Sequence, residues 1–248
     1  MSVKLVSYSQ SYQSEEGEQQ QQQQTKSLQE AVAYCARVSN PTNQNNTETN
    51  ERLLKYLIKH QHWSPFEMVS ICLEINTTRD IARQILRHRS FSFQEFSQRY
   101  AQVTEPFVTK EARLQDNTNR QNSITTDDLE LQTLWIEKQT QLANQSQEIY
   151  TWALENGIAK EQARAVLPEG MTPSRLYMNG TLRSWIHYIQ LRTGPETQKE
   201  HRAVALACVV AIAPIFPMIA TLVEEPTVPP TTPSLPCKDS CKDSCKDS

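Results

Sequence analysis

The chain has 248 residues, with 25 Lys and Arg against 28 Asp and Glu and a formal net charge of −3. That length is enough to bury a substantial core. The near balance of charge excludes a global field drawing the protein to nucleic acid or to anionic lipid, so any anion has to be held by a local cluster of side chains.

In chain order, the N-terminal MSVKLVSYSQ has no apolar run behind a basic start, does not read as a secretory signal, and points to a cytoplasmic protein. Glutamines 19–24 follow the acidic SEEGE and read as a disordered loop insertion with nothing to bury. Cys35, Cys72 and Cys208 sit singly among apolar or small residues without metal-ligand spacing, the pattern of reduced core cysteines. Between Phe66 and Asn76, Val69, Ile71, Leu73 and Ile75 alternate with Ser70, Cys72, Glu74 and Asn76, which predicts a half-buried strand. The following TTRDIARQILRHR places Ile81, Ala82, Ile85 and Leu86 on one helical stripe behind Thr77 or Thr78 as N-cap. Gln84 and His88 then share another face, with Arg87 beside them.

The segment RHRSFSFQEFSQRY, Arg87 to Tyr100, combines Arg87, His88, Arg89 and Arg99 with three phenylalanines and three serines, against one carboxylate, Glu95. Cations at a helix C-terminus complement its dipole, which accounts for one arginine but not for the serines or for Arg99. A folded loop with guanidinium forks, hydroxyls and apolar walls suits a phosphorylated aromatic ligand. The same side chains suit single-stranded nucleic acid, where bases stack on aromatics and phosphates follow arginine. That alternative needs a basic track, and the isolated Arg164 and Arg192, in otherwise helical surroundings, are too few for one. No GxGxxG or GxxxxGK[ST] occurs, so a nucleotide here is held by side chains.

Thr126 to Gly157 reads as a long helix, with an acidic start, apolar Leu131, Leu134, Trp135, Leu142, Ile149, Trp152 and Ala153, and an Asn156-Gly157 stop. Shorter helices are predicted over Lys160–Leu167, Thr181–Leu191 and Glu196–Ala213, separated by Pro168, an Asn179-Gly180 turn and Gly194-Pro195. Residues 203–223 carry no charge, but Pro214 and Pro217 and the Ala-rich composition favour a buried helix broken at Pro214 over a membrane span. The single domain is expected over 1–225, followed by a disordered Pro/Thr-rich and CKDS-repeat tail at 226–248, whose cysteine spacing is too weak a signal for a metal site. The class is α+β and mostly helical, with strands minor.

Arg87-His88-Arg89, Ser92, Glu95, Ser97, Arg99 and Tyr100 resemble the signature of the flavin-dependent thymidylate synthases. ARVSN (Ala36 to Asn40), HWSPFE (His62 to Glu67), ARAVLP (Ala163 to Pro168) and NGTLRSWIHYIQLR (Asn179 to Arg192) extend the match in the family's order. Gln94 stands where many members carry Asn, and Thr181 where others carry an amide. The resemblance implies a homotetramer of mostly helical single domains, each with a small antiparallel sheet, whose active sites are shared between subunits. It implies methylation of dUMP to dTMP with FAD, NADPH and methylenetetrahydrofolate, and no metal, nucleic-acid or membrane partner. It places dUMP against Gln84, Arg87, Glu95, Ser97, Arg99, Arg164 and Arg192, with Arg192 promoting ionisation at uracil N3. FAD falls against Ser39, Ser64, Arg87, His88, Arg89, Glu95, Thr181, Arg183 and His187. Ser97 is read as a binding hydroxyl, since no His-Asp arrangement to activate it is visible, and no cysteine lies in any motif.

Overall fold

The computed structural model describes residues 1–10 and 27–223. The glutamine tract, the expected domain end near residue 225 and the tail with its cysteines lie outside the described residues.

The strand expected from the alternating pattern is β2, Ser70–Thr78, and it is central to the molecule. It begins later than the pattern predicts, because Pro65 and Phe66 belong to a 3-10 turn, Ser64–Glu67, in which proline occupies the first turn. β2 pairs antiparallel with β1, Ser2–Tyr8, and with β6, Pro173–Thr181; β3, Ser92–Glu95, pairs antiparallel with β6, for a sheet order β1-β2-β6-β3. β4, Arg113–Gln115, and β5, Ser123–Thr125, form a separate hairpin. One sheet face carries Ile71, Leu73, Ile75, Leu176 and Met178, all fully buried, each side chain contributing about 1.5–3 kcal/mol on transfer from water. Cys72, Glu74, Asn76, Arg175 and Tyr177 line the other face, where the Tyr177 hydroxyl donates to Glu74 (3.1 Å) and Arg175 Nε to Asn76 Oδ1 (2.9 Å). Cys72 is therefore half-buried on the polar face rather than a core cysteine, Cys35 is also half-buried, and only Cys208 is buried, all three thiols being free.

The helices α1 (Leu28–Ala36), α2 (Asn50–Lys59), α3 (Arg79–Ile85), α6 (Leu182–Arg192) and α7 (Lys199–Ile212) bury one apolar face each in this core. Ser27 and Glu30 form a capping box at α1, reciprocally satisfying two backbone N–H groups. Thr78 is the N-cap of α3, but its hydroxyl bonds Asp80 instead of the backbone. Asn179 and Gly180, expected as a turn, lie inside β6 because the Ser70–Thr78 ladder extends across them. α7 stops at Ile212 ahead of Pro214, as the proline predicts, but it is not apolar-buried all round: Val210 is 74% exposed. Among the described residues no helix is long and apolar enough to cross a membrane.

α4, Leu129–Glu155, is the expected long helix, capped by Asp128 and followed by Gly157 at φ +77°. It is joined to the loop before β4 by two amides one heptad apart: Gln132 brackets the Ala112 backbone (2.9 and 3.0 Å) and Gln139 the Lys110 backbone (both 2.8 Å). Tyr150 and Ala153 pack with Val103 and Ala163 of α5, Lys160–Ala163, in a small second core. The sequence-predicted stripe Leu131, Leu134, Trp135, Leu142, Ile149 and Trp152 is exposed, Trp152 to 58%.

Phe91 is buried against Trp185 and Tyr188, with ring centroids at 4.9 and 6.1 Å, while Phe93 is half-buried and Phe96 exposed. A Cβ on Gly180 would lie 2.7 Å from Phe91 Cε1 and closer still to Cδ1. Gly180→Ala therefore forces the ring into its packed neighbours and is expected to lower stability by about 1–3 kcal/mol. An unchanged denaturation midpoint would contradict this packing role.

Candidate active site

The turn after α3 carries Arg87, His88 and Arg89, closed by His88 N–H to Ile85 O (3.0 Å) and Phe91 N–H to His88 O (3.3 Å). With Phe91 pinned beneath the sheet, Arg87 and Arg89 stay exposed and have no side-chain hydrogen bond or ion pair among the described residues. His88 turns inward: its Nε2 accepts from Arg192 Nε at 2.9 Å, and its ring stands edge-on to Tyr188 at 4.9 Å. Burial, and then the Arg192 charge, push His88 down to about 4, so at neutral pH it is an uncharged acceptor with its proton on Nδ1. Arg192, the last residue of α6, keeps both terminal nitrogens without partners among the described residues.

Gln84, on α3, is tied into a partly buried chain of polar groups. Its Oε1 meets His201 Nδ1 at 3.1 Å and its Nε2 donates to Gln198 Oε1 at 2.7 Å. His201 Nε2 lies 3.2 Å from the Tyr188 hydroxyl. Gln198 Nε2 donates to Glu200 (2.9 Å), which also accepts from Arg113 (2.6 Å). Burial raises the Glu200 carboxyl, but the Arg113 and Gln198 hydrogen bonds outweigh it and hold the group below its usual range. His201 is pushed down to about 3 by burial, then by Arg192 and His88. The Tyr188 phenol is raised well above its ordinary value by burial.

The other predicted residues fall in separate groups. Thr181 caps α6 by accepting from Ser184 N–H (3.3 Å), and the Ser184 hydroxyl donates to Ser90 O (3.2 Å), fastening the arginine turn to the helix start. Arg183, two residues on, is ion-paired with Glu67, and His187 stands edge-on to Trp63 at 4.4 Å, which brings the exposed Ser64 turn to the same helix. Burial, then Arg183, lowers His187. Glu95 faces inward, accepting from Ser174 (2.7 Å) and paired with Arg79 (3.5 Å). Exposed Ser97 and Arg99 lie beyond β3; Arg99 pairs with Glu161 (3.4 Å), and Arg164 donates to the Glu161 carbonyl (3.3 Å), so those two arginines flank one residue. Ser39 lines a cleft of about 530 Å³ with Asn40, Thr49 and Arg52. No hydrogen bond or ion pair among the described residues joins Arg99 or Arg164 to Gln84, Arg87 or Arg192.

The chain thus presents guanidinium groups in several discrete places. Arg99, Arg175 and Arg183 are each matched by a carboxylate, which interrupts any continuous track for a polynucleotide. Gln98, between Ser97 and Arg99, is 4% exposed, and its Nε2 is a buried donor without a partner among the described residues, the condition that an added acceptor oxygen relieves. Arg52, Arg79, Tyr188, Gln198 and His201 escape sequence reasoning. His201, the one ring in α7, is the one with a visible signal.

A family model described as thymidylate synthase complementing protein matches residues 7–218. A probable flavin-dependent thymidylate synthase of Paramecium bursaria Chlorella virus 1 is 54% identical over 196 residues, 79% of this chain and 90% of that protein. The chain belongs to the flavin-dependent thymidylate synthases. A second member, from Synechocystis, is 50% identical over 193 residues, covering 78% of this chain and 88% of its own. Among solved structures, a UMP/dUMP methylase, PolB from Streptomyces cacaoi, bound with 5-Br dUMP, superposes with a TM-score of 0.73 at 28% identity, over 89% of this chain and 93% of that one. The family's arginine turn is thus seated here on a neutral histidine that holds Arg192.

Because His88 and His201 lie below the ordinary histidine value of 6.5 in the folded protein, the unfolded chain binds protons that the folded one refuses between about pH 6.5 and pH 4 for His88, and down to about pH 3 for His201. Stability from these groups is complete above that window and is lost as pH falls through it. A His88→Gln, His201→Gln double variant is expected to show a shallower fall of Tm over this range than the parent chain. Parallel slopes would remove the case for two neutral histidines.

Proposed function

We propose that this protein methylates dUMP at C5 to dTMP, with methylenetetrahydrofolate as carbon donor and NADPH as reductant, releasing tetrahydrofolate. Family membership supports the reaction, and the observation that carries it to particular residues is the fork of Arg192, fixed at Nε by neutral His88 with both terminal nitrogens unpartnered among the described residues. A guanidinium stays protonated at any working pH, so against the uracil edge it favours the N3 anion and stabilises charge developing on the ring. Arg99, Arg164 and Ser97 suit the phosphate as forks and a hydroxyl, with Gln84, Arg87 and Glu95 completing the substrate contacts. Among the described residues no His or Asp hydrogen-bonds the Ser97 hydroxyl, which supports binding rather than attack. Burial raises the thiols of Cys208 and Cys72, away from the reactive thiolate.

The residues present fit a flavin dinucleotide. Exposed Arg87 and Arg89, unpaired among the described residues, and the α6 start with Thr181 and Arg183 suit its phosphates, and Trp63 with His187 offers ring surface. FAD is assigned to Ser39, Ser64, Arg87, His88, Arg89, Glu95, Thr181, Arg183 and His187, the Ser39 cleft with Arg52 taking a phosphate. When bound, the flavin, reduced by NADPH, supplies the reducing equivalents that turn the transferred methylene into a methyl group.

The protein works as a cytoplasmic homotetramer with shared sites. The uncovered apolar stripe of α4 supports this, since exposed Leu134, Trp135, Leu142 and Trp152 form the kind of surface that association buries.

Purified protein is expected to be yellow or to take up FAD, and to form dTMP; a preparation that stays colourless after FAD is added would count heavily against the assignment. Arg192→Ala should keep the fold and lose turnover by roughly 10²-fold or more, and near-parental activity would overturn its role. Trp135→Glu with Leu142→Glu should dissociate the assembly in sedimentation and abolish activity with it. A fully active monomer would refute shared sites.

A further inference from the structure

We propose that His201 is a positioning residue that fixes the Gln84 amide so that it presents an N–H donor to an acceptor oxygen of the nucleotide. The inference deepens the reading above and rests on the assignment of Gln84 to dUMP.

The direction of the whole chain of groups is set at one end by an ionised carboxylate. Glu200 accepts only, so the Gln198 group 2.9 Å from it is the amide nitrogen, and Gln198 Oε1 is left to accept from Gln84 at 2.7 Å. Gln84 Nε2 is thereby committed to Gln198, which turns Gln84 Oε1 toward His201 at 3.1 Å. An acceptor at that place requires the proton on His201 Nδ1, and Nε2 then accepts from the Tyr188 hydroxyl at 3.2 Å. Each link in the sequence Tyr188, His201, Gln84, Gln198, Glu200 pairs one donor with one acceptor, and reversing either amide would set two acceptors or two donors face to face.

Two consequences follow for Gln84. Its Oε1 and one Nε2 hydrogen are spent inward, and the second Nε2 hydrogen is its remaining donor. The half-buried amide is prevented from flipping, an exchange that would offer a carbonyl to a phosphate or uracil oxygen and repel it. His201 has no exposed surface, so its part in recognition passes through Gln84 alone. Tyr188, which holds His201, is one helical turn before Arg192 and packs edge-on against His88, so the clamp on Gln84 and the clamp on Arg192 share a ring.

The test uses the flavin-loaded enzyme and dUMP. His201→Asn keeps a donor at the place of Nδ1, His201→Gln keeps one only at the place of Nε2, and His201→Phe keeps neither. His201→Phe and His201→Gln are expected to raise the KM for dUMP about tenfold, the worth of one neutral hydrogen bond, with kcat within about twofold of the parent, and His201→Asn to restore KM to within about twofold. Gln84→Ala should raise KM to a similar extent, and adding His201→Phe to it should change nothing further, since both act through one contact. Repeating the comparison with deoxyuridine identifies the oxygen: a loss that persists without the phosphate assigns the base, and one that vanishes assigns the phosphate. If Gln84→Ala raises KM while His201→Phe and His201→Gln do not, or if His201→Asn is as impaired as His201→Gln at equal Tm, His201 has no positioning role. If Gln84→Ala itself leaves KM unchanged, the assignment of Gln84 to the substrate is what fails. Should His201→Phe not fold, the Asn and Gln substitutions alone decide between these outcomes.

Discussion

The antiparallel ladder between β2 and β6 is the constraint on which the site depends. Ser70 faces Thr181 at one end and Thr78 faces Pro173 at the other, so α3 and α6 leave opposite ends of the same pair of strands. Both helices cover the buried face, and their far ends meet where Arg192 reaches His88. A one-residue slip of β6 would send Leu176 and Met178 to the polar face and expel the helix that carries Arg192. Hydrophobic register, not polar contact, therefore sets the geometry of the candidate site.

Electrostatics then works within that frame. Histidines 88 and 201 are kept neutral by burial and by the guanidinium beside them, and as neutral rings they accept hydrogen bonds that protonated rings would refuse. The cost of enclosing Tyr188 and His201 is met by hydrogen bonds through to Glu200 and Arg113. Arg87 and Arg89 stay exposed outside this network, with no carboxylate partner among the described residues.

The elements that periodicity can see were legible: β2 from its alternation, α3, α4, α6 and α7 from their stripes and stops. β1, β3 and β6 were not, because a strand in Ser92–Glu95 or Pro173–Thr181 is defined by its partner, and the Asn179-Gly180 pair that reads as a turn is held extended by Ile71 and Cys72 across the ladder. Phe91 explains that glycine, since its ring occupies the space a side chain would fill. The α4 stripe was read correctly as helical, yet its exposure depends on how much of the helix the chain covers, which composition does not record.

By itself the sequence determined the chemical kind of the site: a balanced overall charge forces local anion binding, and the spacing of Arg87 through Tyr100 with the remote Arg164 and Arg192 marks the family. Only the tertiary structure decided which of those residues act together. His88, expected against a cofactor, also holds Arg192; Gln84 is oriented from behind by His201; and Arg99 is set beside Arg164 through Glu161. The physical reason is distance along the chain. Residues separated by 104 positions for Arg192 and His88, or 117 for His201 and Gln84, become neighbours only through sheet register and helix packing, and a buried ring loses its proton only when that packing removes the water around it.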